Sequence, residues 1–290
     1  MVSTSKGASV VPTNTLGSLI AVLAAAIWGS GDFLGGLATR KRSQYQVVAL
    51  ASFSGLIILL IAMLARGESL PSPQNALWSA AAALSGTIGI AALYRGLATS
   101  QAALVAPASS VIGVALPVLV GTLLYGPPGT LKWLGMAAGV LGIWLVSTNT
   151  GLSRGESRQA LWLAFIAGLG FGGFFVLIAQ VEAGAVFAPL VIAKCASLIF
   201  SLGMLTARRL RLPSLPGSGT ALTAGVFDAG GNVFYLLAAQ MTRLEFAALL
   251  ASMAPAMTVL LAALVSRQRV NNWQKGGVAL CLAAIALIVL

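Results

Sequence analysis

Apolar runs of about 18 to 24 residues follow one another from residue 16 to residue 290, each closed by a short stretch of charged residues, Gly or Pro. At about 1.5 Å per helical residue, one such run crosses a hydrocarbon core of about 30 Å. The pattern therefore predicts an all-α integral membrane protein with ten transmembrane helices, at 16–38, 45–65, 74–97, 102–125, 131–148, 159–180, 188–207, 219–239, 244–265 and 272–290. The connections are short, so no soluble domain is inserted. The longest polar stretch between runs, Asn149 to Arg158, divides the chain into residues 1–150 and 151–290, with five predicted helices on each side.

The two halves echo each other. Trp28-Gly29-Ser30 in the first span faces Phe171-Gly172-Gly173 in the sixth, Tyr94 faces Tyr235, and Pro117 faces Pro255, at offsets of 138 to 143 residues. Each of these prolines is followed by an apolar run, a turn holding a Trp (Trp133, Trp273) and a Gly-opened last span (Gly135, Gly276). Five is odd, so the second copy enters the membrane from the opposite side. Two inverted five-helix repeats around a central cavity are a carrier architecture, with the site near the midplane.

Composition supports the membrane reading. The chain is 58% hydrophobic and 8% charged with a mean hydropathy of +0.96, whereas soluble domains are about 25% charged. A formal charge of +11 would point to nucleic acid in a soluble protein, but these cations fall in short clusters between apolar runs, so no nucleic-acid partner is expected. Twelve of the 17 basic residues lie in the loops after odd-numbered spans, among them Arg40, Lys41, Arg42, Arg154, Arg158, Arg208, Arg209, Arg211, Arg267 and Arg269. The positive-inside rule places those loops in the cytoplasm of a bacterial-type inner (plasma) membrane and both termini outside. The first apolar run is too long for a signal core and is expected to be retained. Cys195 and Cys281 lie inside apolar runs and there is no His, so neither a disulfide framework, a metal site nor a cofactor is expected.

Ser, Asp and Gly in a lipid-crossing run mark a cavity rather than an anchor. Trp28 and Ser30 lie near the middle of the first span between glycines, and Phe171 is likewise bracketed by glycine. Asp228 falls near the midplane of the eighth span, where a lone carboxylate costs several kcal/mol unless paired, hydrated or protonated. Asn232 and Tyr235 follow it on or near the same helix face. Asp228 is read either as a substrate contact or as the ion-pair partner of Lys194. Asp32 is expected near the cytoplasmic interface. The candidate substrate-binding set is Trp28, Ser30, Thr87, Tyr94, Ser109, Phe171, Asp228, Asn232, Tyr235 and Ser252, with Pro117 and Pro255 as hinges. An enzyme is not expected: there is no His, no nucleophile elbow, no P-loop and no carboxylate pair at metal-site spacing.

Ala26-Ile27-Trp28-Gly29-Ser30, Tyr94-Arg95-Gly96-Leu97 leading to Ala102-Ala103-Leu104-Val105-Ala106-Pro107, Pro117 and Ala254-Pro255 together resemble the drug/metabolite transporter superfamily with two EamA-type domains. The resemblance spans the whole chain and is nearest to YddG-type exporters. It implies export of aromatic and other neutral amino acids, or similar amphiphilic metabolites, by alternating access. The acidic residue common in the family after the fourth and ninth spans is missing, with Gly126-Pro127 and Ser266-Arg267 in its place. Two alternatives stand beside this reading: a multidrug or lipophilic-cation/proton antiporter, and a non-transporting membrane subunit. Protons are a candidate co-substrate if Asp228 titrates during the cycle, and otherwise the protein is a facilitator.

Overall fold

The computed structural model describes residues 15–97, 102–147, 156–211, 214–265 and 271–289, so Lys6, Arg154, Arg267 and Arg269 lie outside the described residues. Every predicted span carries helix. In order these are α1 (Thr15–Thr39), α2 (Gln44–Arg66), α3 (Pro73–Leu97), α4 (Ala102–Tyr125), α5 (Thr130–Ser147), α6 (Glu156–Ile178), α7 (Phe187–Ala207), α8 (Gly219–Met241), α9 (Leu244–Ala251), α10 (Ala254–Leu264) and α11 (Asn272–Val289). Among the described residues, α1, α2, α3, α4, α6, α7 and α8 are long and apolar enough to cross a membrane, and the helices of the fifth, ninth and tenth spans are shorter. The outer surface is rich in exposed Leu and Ile, such as Leu64, Leu123 and Ile199. Such a belt is stable only against lipid.

The ninth span differs from the prediction. Residues 244–265 form two helices, because the chain tightens at Ser252-Met253, where the N–H of Met253 donates to Leu250 three residues back at 3.2 Å. Pro255 follows directly and has no N–H to continue the ladder. In α4 the helix instead runs through Pro117 without a break, and the Pro117 side chain is buried.

Helices of one half pack chiefly on helices of the other: α1 on α8, α3 on α6, α2 on α7 and α5 on α11. The α3–α6 crossing is close enough that a Cβ on Gly170 would lie 2.6 Å from the Gly89 Cα, so the position accepts only glycine. The α2 and α7 helices run antiparallel. Gln46, at the start of α2, donates to the Arg211 carbonyl beyond the end of α7 at 3.0 Å, while Glu68, past the end of α2, accepts from the Ala188 N–H at the start of α7 at 2.8 Å. α7 has no side-chain cap of its own, so Glu68 satisfies one of its orphan donors from across the molecule. α5 and α11 are also antiparallel, with Lys132 donating to the Ile288 carbonyl at 2.5 Å and Gly142 set against Cys281.

One end of the bundle is tied by polar bonds between the halves. The Asn75 amide donates to Glu182 Oε2 at 3.1 Å and its carbonyl accepts from the Glu182 N–H at 3.3 Å. Arg243 pairs with Glu245 at 2.5 Å and donates to the Gly126 carbonyl at 2.5 Å. Glu245 is fully buried and its second oxygen has no hydrogen-bond partner among the described residues.

Candidate functional site

Ten of the helices leave between them a cavity of about 320 Å³, with walls drawn from both halves. Its lining runs from mid-helix positions such as Trp28, Thr87 and Asn232 to the helix ends at Val48, Tyr94 and Gln274. None of the lining comes from the turns at 67–72, 126–129, 179–186 or 242–243, where the inter-half bonds cluster. The cavity therefore reaches toward the end bearing Arg40, Lys41, Arg42, Arg208, Arg209 and Arg211, and stops short of the bonded end.

One wall is aromatic. Trp28, Phe171, Phe174 and Phe175 line it, and Trp28 is held by neighbours rather than free. Phe174 meets its ring edge-on at 6.1 Å and 71°, Phe175 lies at 5.9 Å and Tyr235 at 5.6 Å. The indole also packs against α8 at Gly231, where an added Cβ would collide with Cδ1. Tyr235 sits behind the wall, fully buried, its hydroxyl donating to the Phe175 carbonyl at 3.2 Å. It supports the aromatic cluster and is not a lining residue.

The facing wall is charged and polar. Lys194 of α7 bonds to Asp228 of α8, and Asp32 of α1 lines the same space. An ion of either sign held alone at this depth would be costly, and the Lys194–Asp228 bond offsets much of that cost. Asn232, one turn beyond Asp228, and Tyr94 both point into the cavity while more than nine-tenths buried. The Tyr94 hydroxyl rests against Gly35 of α1, a position where any side chain would displace it. Thr87 donates to the Ala83 carbonyl at 2.6 Å and shares a hydrogen bond with Ser197 at 2.7 Å. Ser109 and Ser252 also line the space, Ser252 at the break between α9 and α10.

Of the residues singled out from sequence, Trp28, Thr87, Tyr94, Ser109, Phe171, Asp228, Asn232, Ser252 and Pro255 come together on this cavity. Ser30, Tyr235 and Pro117 are not part of its lining. Ser30 turns back on its own helix and donates to the Ala26 carbonyl at 2.9 Å, as a mid-helix serine commonly does. Asp32 follows Trp28 by one turn on α1 and lines the same cavity. Phe175, Ser197, Thr258 and Gln274 also line the cavity and were not anticipated. Ser197 carried a signal, since it lies one turn from Lys194 on the same face of α7.

A family model for EamA-like transporters matches residues 15–148 and again residues 158–290. The chain belongs to the EamA-like transporter family. It is accordingly a multi-pass membrane transporter of small molecules and not an enzyme. A solved crystal structure superposes on it with a TM-score of 0.72 over 95% of this chain and 96% of the other, at 18% identity, a likeness that concerns the fold alone. No curated protein matches the sequence.

Proposed function

We propose that the protein is a secondary carrier exporting small amphiphilic metabolites that pair an aromatic or apolar body with an ammonium group, aromatic and other neutral amino acids among them. The observation that carries this reading is one cavity with an aromatic wall at Trp28, Phe171 and Phe174 and a charged wall at Asp32, Lys194 and Asp228. Such a space takes an apolar ring on one side and a charged head on the other. Trp28, Thr87, Tyr94, Ser109, Phe171, Asp228, Asn232 and Ser252 are the proposed substrate contacts.

Alternating access between two inverted halves is the proposed mechanism, with ten helices spanning the membrane and the repeats meeting near residue 150. The exchange of packing partners supports it: α1 on α8 is matched by α3 on α6, and α2 on α8 by α3 on α7. The helices that would be equivalent, α2 with α7 and α5 with α11, pair antiparallel, as a two-fold axis lying in the membrane plane requires. With the basic end in the cytoplasm of the inner membrane, the bonded end is the outer one, and the break at Pro255 is the natural hinge for opening it. Because Asp228 is already engaged by Lys194, a facilitator running down the metabolite gradient is favoured over proton-driven exchange.

Counterflow into proteoliposomes tests the carrier reading, with labelled phenylalanine or 2-phenylethylamine outside and the unlabelled compound inside, and no ion gradient. Accumulation that is lost in Trp28→Ala is the expected result. No counterflow of either compound by the wild type would refute it. The lipophilic-cation reading is favoured by one further feature, the direction in which the Lys194–Asp228 pair faces.

A further inference from the structure

Three charged side chains line the cavity, and what they offer a ligand is not balanced. Lys194 and Asp228 are bonded to each other, but the side chain of Lys194 is 7% exposed and that of Asp228 is 36% exposed. The pair thus turns its carboxylate to the cavity and keeps its ammonium behind. Lys194 is the one cation among the lining residues. Asp32 lines the same space with no hydrogen bond or ion pair among the described residues. The Tyr94 hydroxyl and the Asn232 amide, more than nine-tenths buried and facing the cavity, also have no hydrogen-bond partner there. A ligand therefore meets two carboxylates and two unpartnered polar groups, and no accessible positive charge.

Resting on the carrier reading above, we infer that the site selects aryl-alkyl ammonium ions without a carboxylate, aromatic monoamines in chemical class, and that Asp32 is the residue that meets the ammonium. Lys194 is taken up by Asp228, so a monovalent amine cation gives Asp32 the partner it otherwise lacks. A zwitterionic amino acid brings the same ammonium but must set its own carboxylate beside Asp32 and Asp228, at a site where burial weakens screening. The spacing agrees. Asp32 follows Trp28 by four residues on α1, so the two side chains leave the helix on the same face from backbone positions about 6 Å apart along the axis. That separation suits a ring stacked on Trp28 and Phe174 with its ammonium carried on a two-carbon arm. Tyr94, seated against Gly35 a further turn along α1, supplies a hydroxyl acceptor, and Asn232 supplies an amide oxygen from α8.

The test uses the full-length protein in proteoliposomes, with counterflow of labelled 2-phenylethylamine competed by four compounds. These are 2-phenylethylamine itself, phenylalanine methyl ester, phenylalanine and 3-phenylpropionate. The expected order is amine and ester together, phenylalanine at least tenfold weaker, and phenylpropionate without effect. Thermal-shift titration of the detergent-solubilised protein with the same four compounds supplies a readout that does not depend on transport. In Asp32→Asn the preference for ester over phenylalanine is expected to collapse to within about threefold, while Asp32→Glu retains it. Phenylalanine competing as well as its ester would overturn the selectivity and leave the carrier reading standing. A preference unchanged in Asp32→Asn would overturn the assignment of the residue. Neither counterflow nor a thermal shift with any of the four would overturn both readings.

Discussion

Gly231 is the position at which the aromatic wall can be tested most sharply. In Gly231→Ala the new Cβ would strike the Trp28 ring, lying 2.6 Å from Nε1 and 2.7 Å from Cγ as well as colliding with Cδ1. Ordinary carbon contacts lie at about 3.5–4.0 Å, so the ring or the helix must give way by about 1 Å. The ring has little room to yield, because Phe174, Phe175 and Tyr235 box it at 5.6 to 6.1 Å and Tyr235 is itself tied to the Phe175 carbonyl. Overpacking of this kind costs about 1–3 kcal/mol. If the indole escapes into the cavity instead, stability is spared and the ligand loses its stacking face. At about 1.4 kcal/mol per tenfold, binding then falls by one to two orders of magnitude.

The two costs are separated by reversible unfolding in mixed detergent micelles and by equilibrium binding of 2-phenylethylamine, each measured for Gly231→Ala, Trp28→Phe and the double variant. Phe is smaller and leaves room for the added methyl, so the double variant is expected to recover about 1–2 kcal/mol relative to additivity. Gly231→Ala that matches wild type in both measurements, or a strictly additive cycle, would refute the placement of Trp28 against α8.

Two further outcomes follow from the bonded end. Arg243→Met leaves the fully buried Glu245 carboxylate without its partner and is expected to cost about 3–5 kcal/mol in unfolding, with Arg243→Met/Glu245→Met recovering most of it; an Arg243→Met variant within 1 kcal/mol of wild type would contradict the pairing. Joining Asn75→Cys to Glu182→Cys with a short bis-methanethiosulfonate, which forms a disulfide to each cysteine and releases methanesulfinate, in a background lacking Cys195 and Cys281, is expected to stop counterflow, because that end must part during the cycle; undiminished exchange in the crosslinked protein would show that it does not.

The helices were readable because each lipid-crossing run must be apolar over its whole length, and that demand leaves a mark no turn can imitate. What proline does inside such a run was not readable. Pro117 and Pro255 look alike in sequence, each in an alanine-, valine- and leucine-rich stretch, yet one is absorbed and the other ends a helix. In each case the proline leaves a carbonyl four residues back without its helical donor. In α4 it belongs to Gly113, and α6 closes on it so tightly that a Cβ at Gly172 would lie 2.9 Å from that oxygen. In α9 the chain instead tightens into a three-residue turn. No pattern within one span reports the distance to another.

The same limit sorts the site residues. Asp228 and Asn232 could be grouped because a single helix face carries both, and Trp28 with Phe171 because the two halves repeat. Depth alone could not group Asp32 with them: five residues past the centre of α1 suggested a place near the interface, and the cavity slopes far enough toward the basic end to take in Tyr94, Val48 and Gln274 at helix termini and Asp32 with them. Distance from the membrane centre therefore says less about an ionisable group than which helix it faces. α1 lies against α8 along its length, so a carboxylate on α1 one turn beyond Trp28 shares a space with Asp228 whatever its depth. Sharing that space with a carboxylate whose own counter-ion is turned away gives Asp32 its weight, for a cation entering from the basic end finds both aspartates facing it and Lys194 behind one of them.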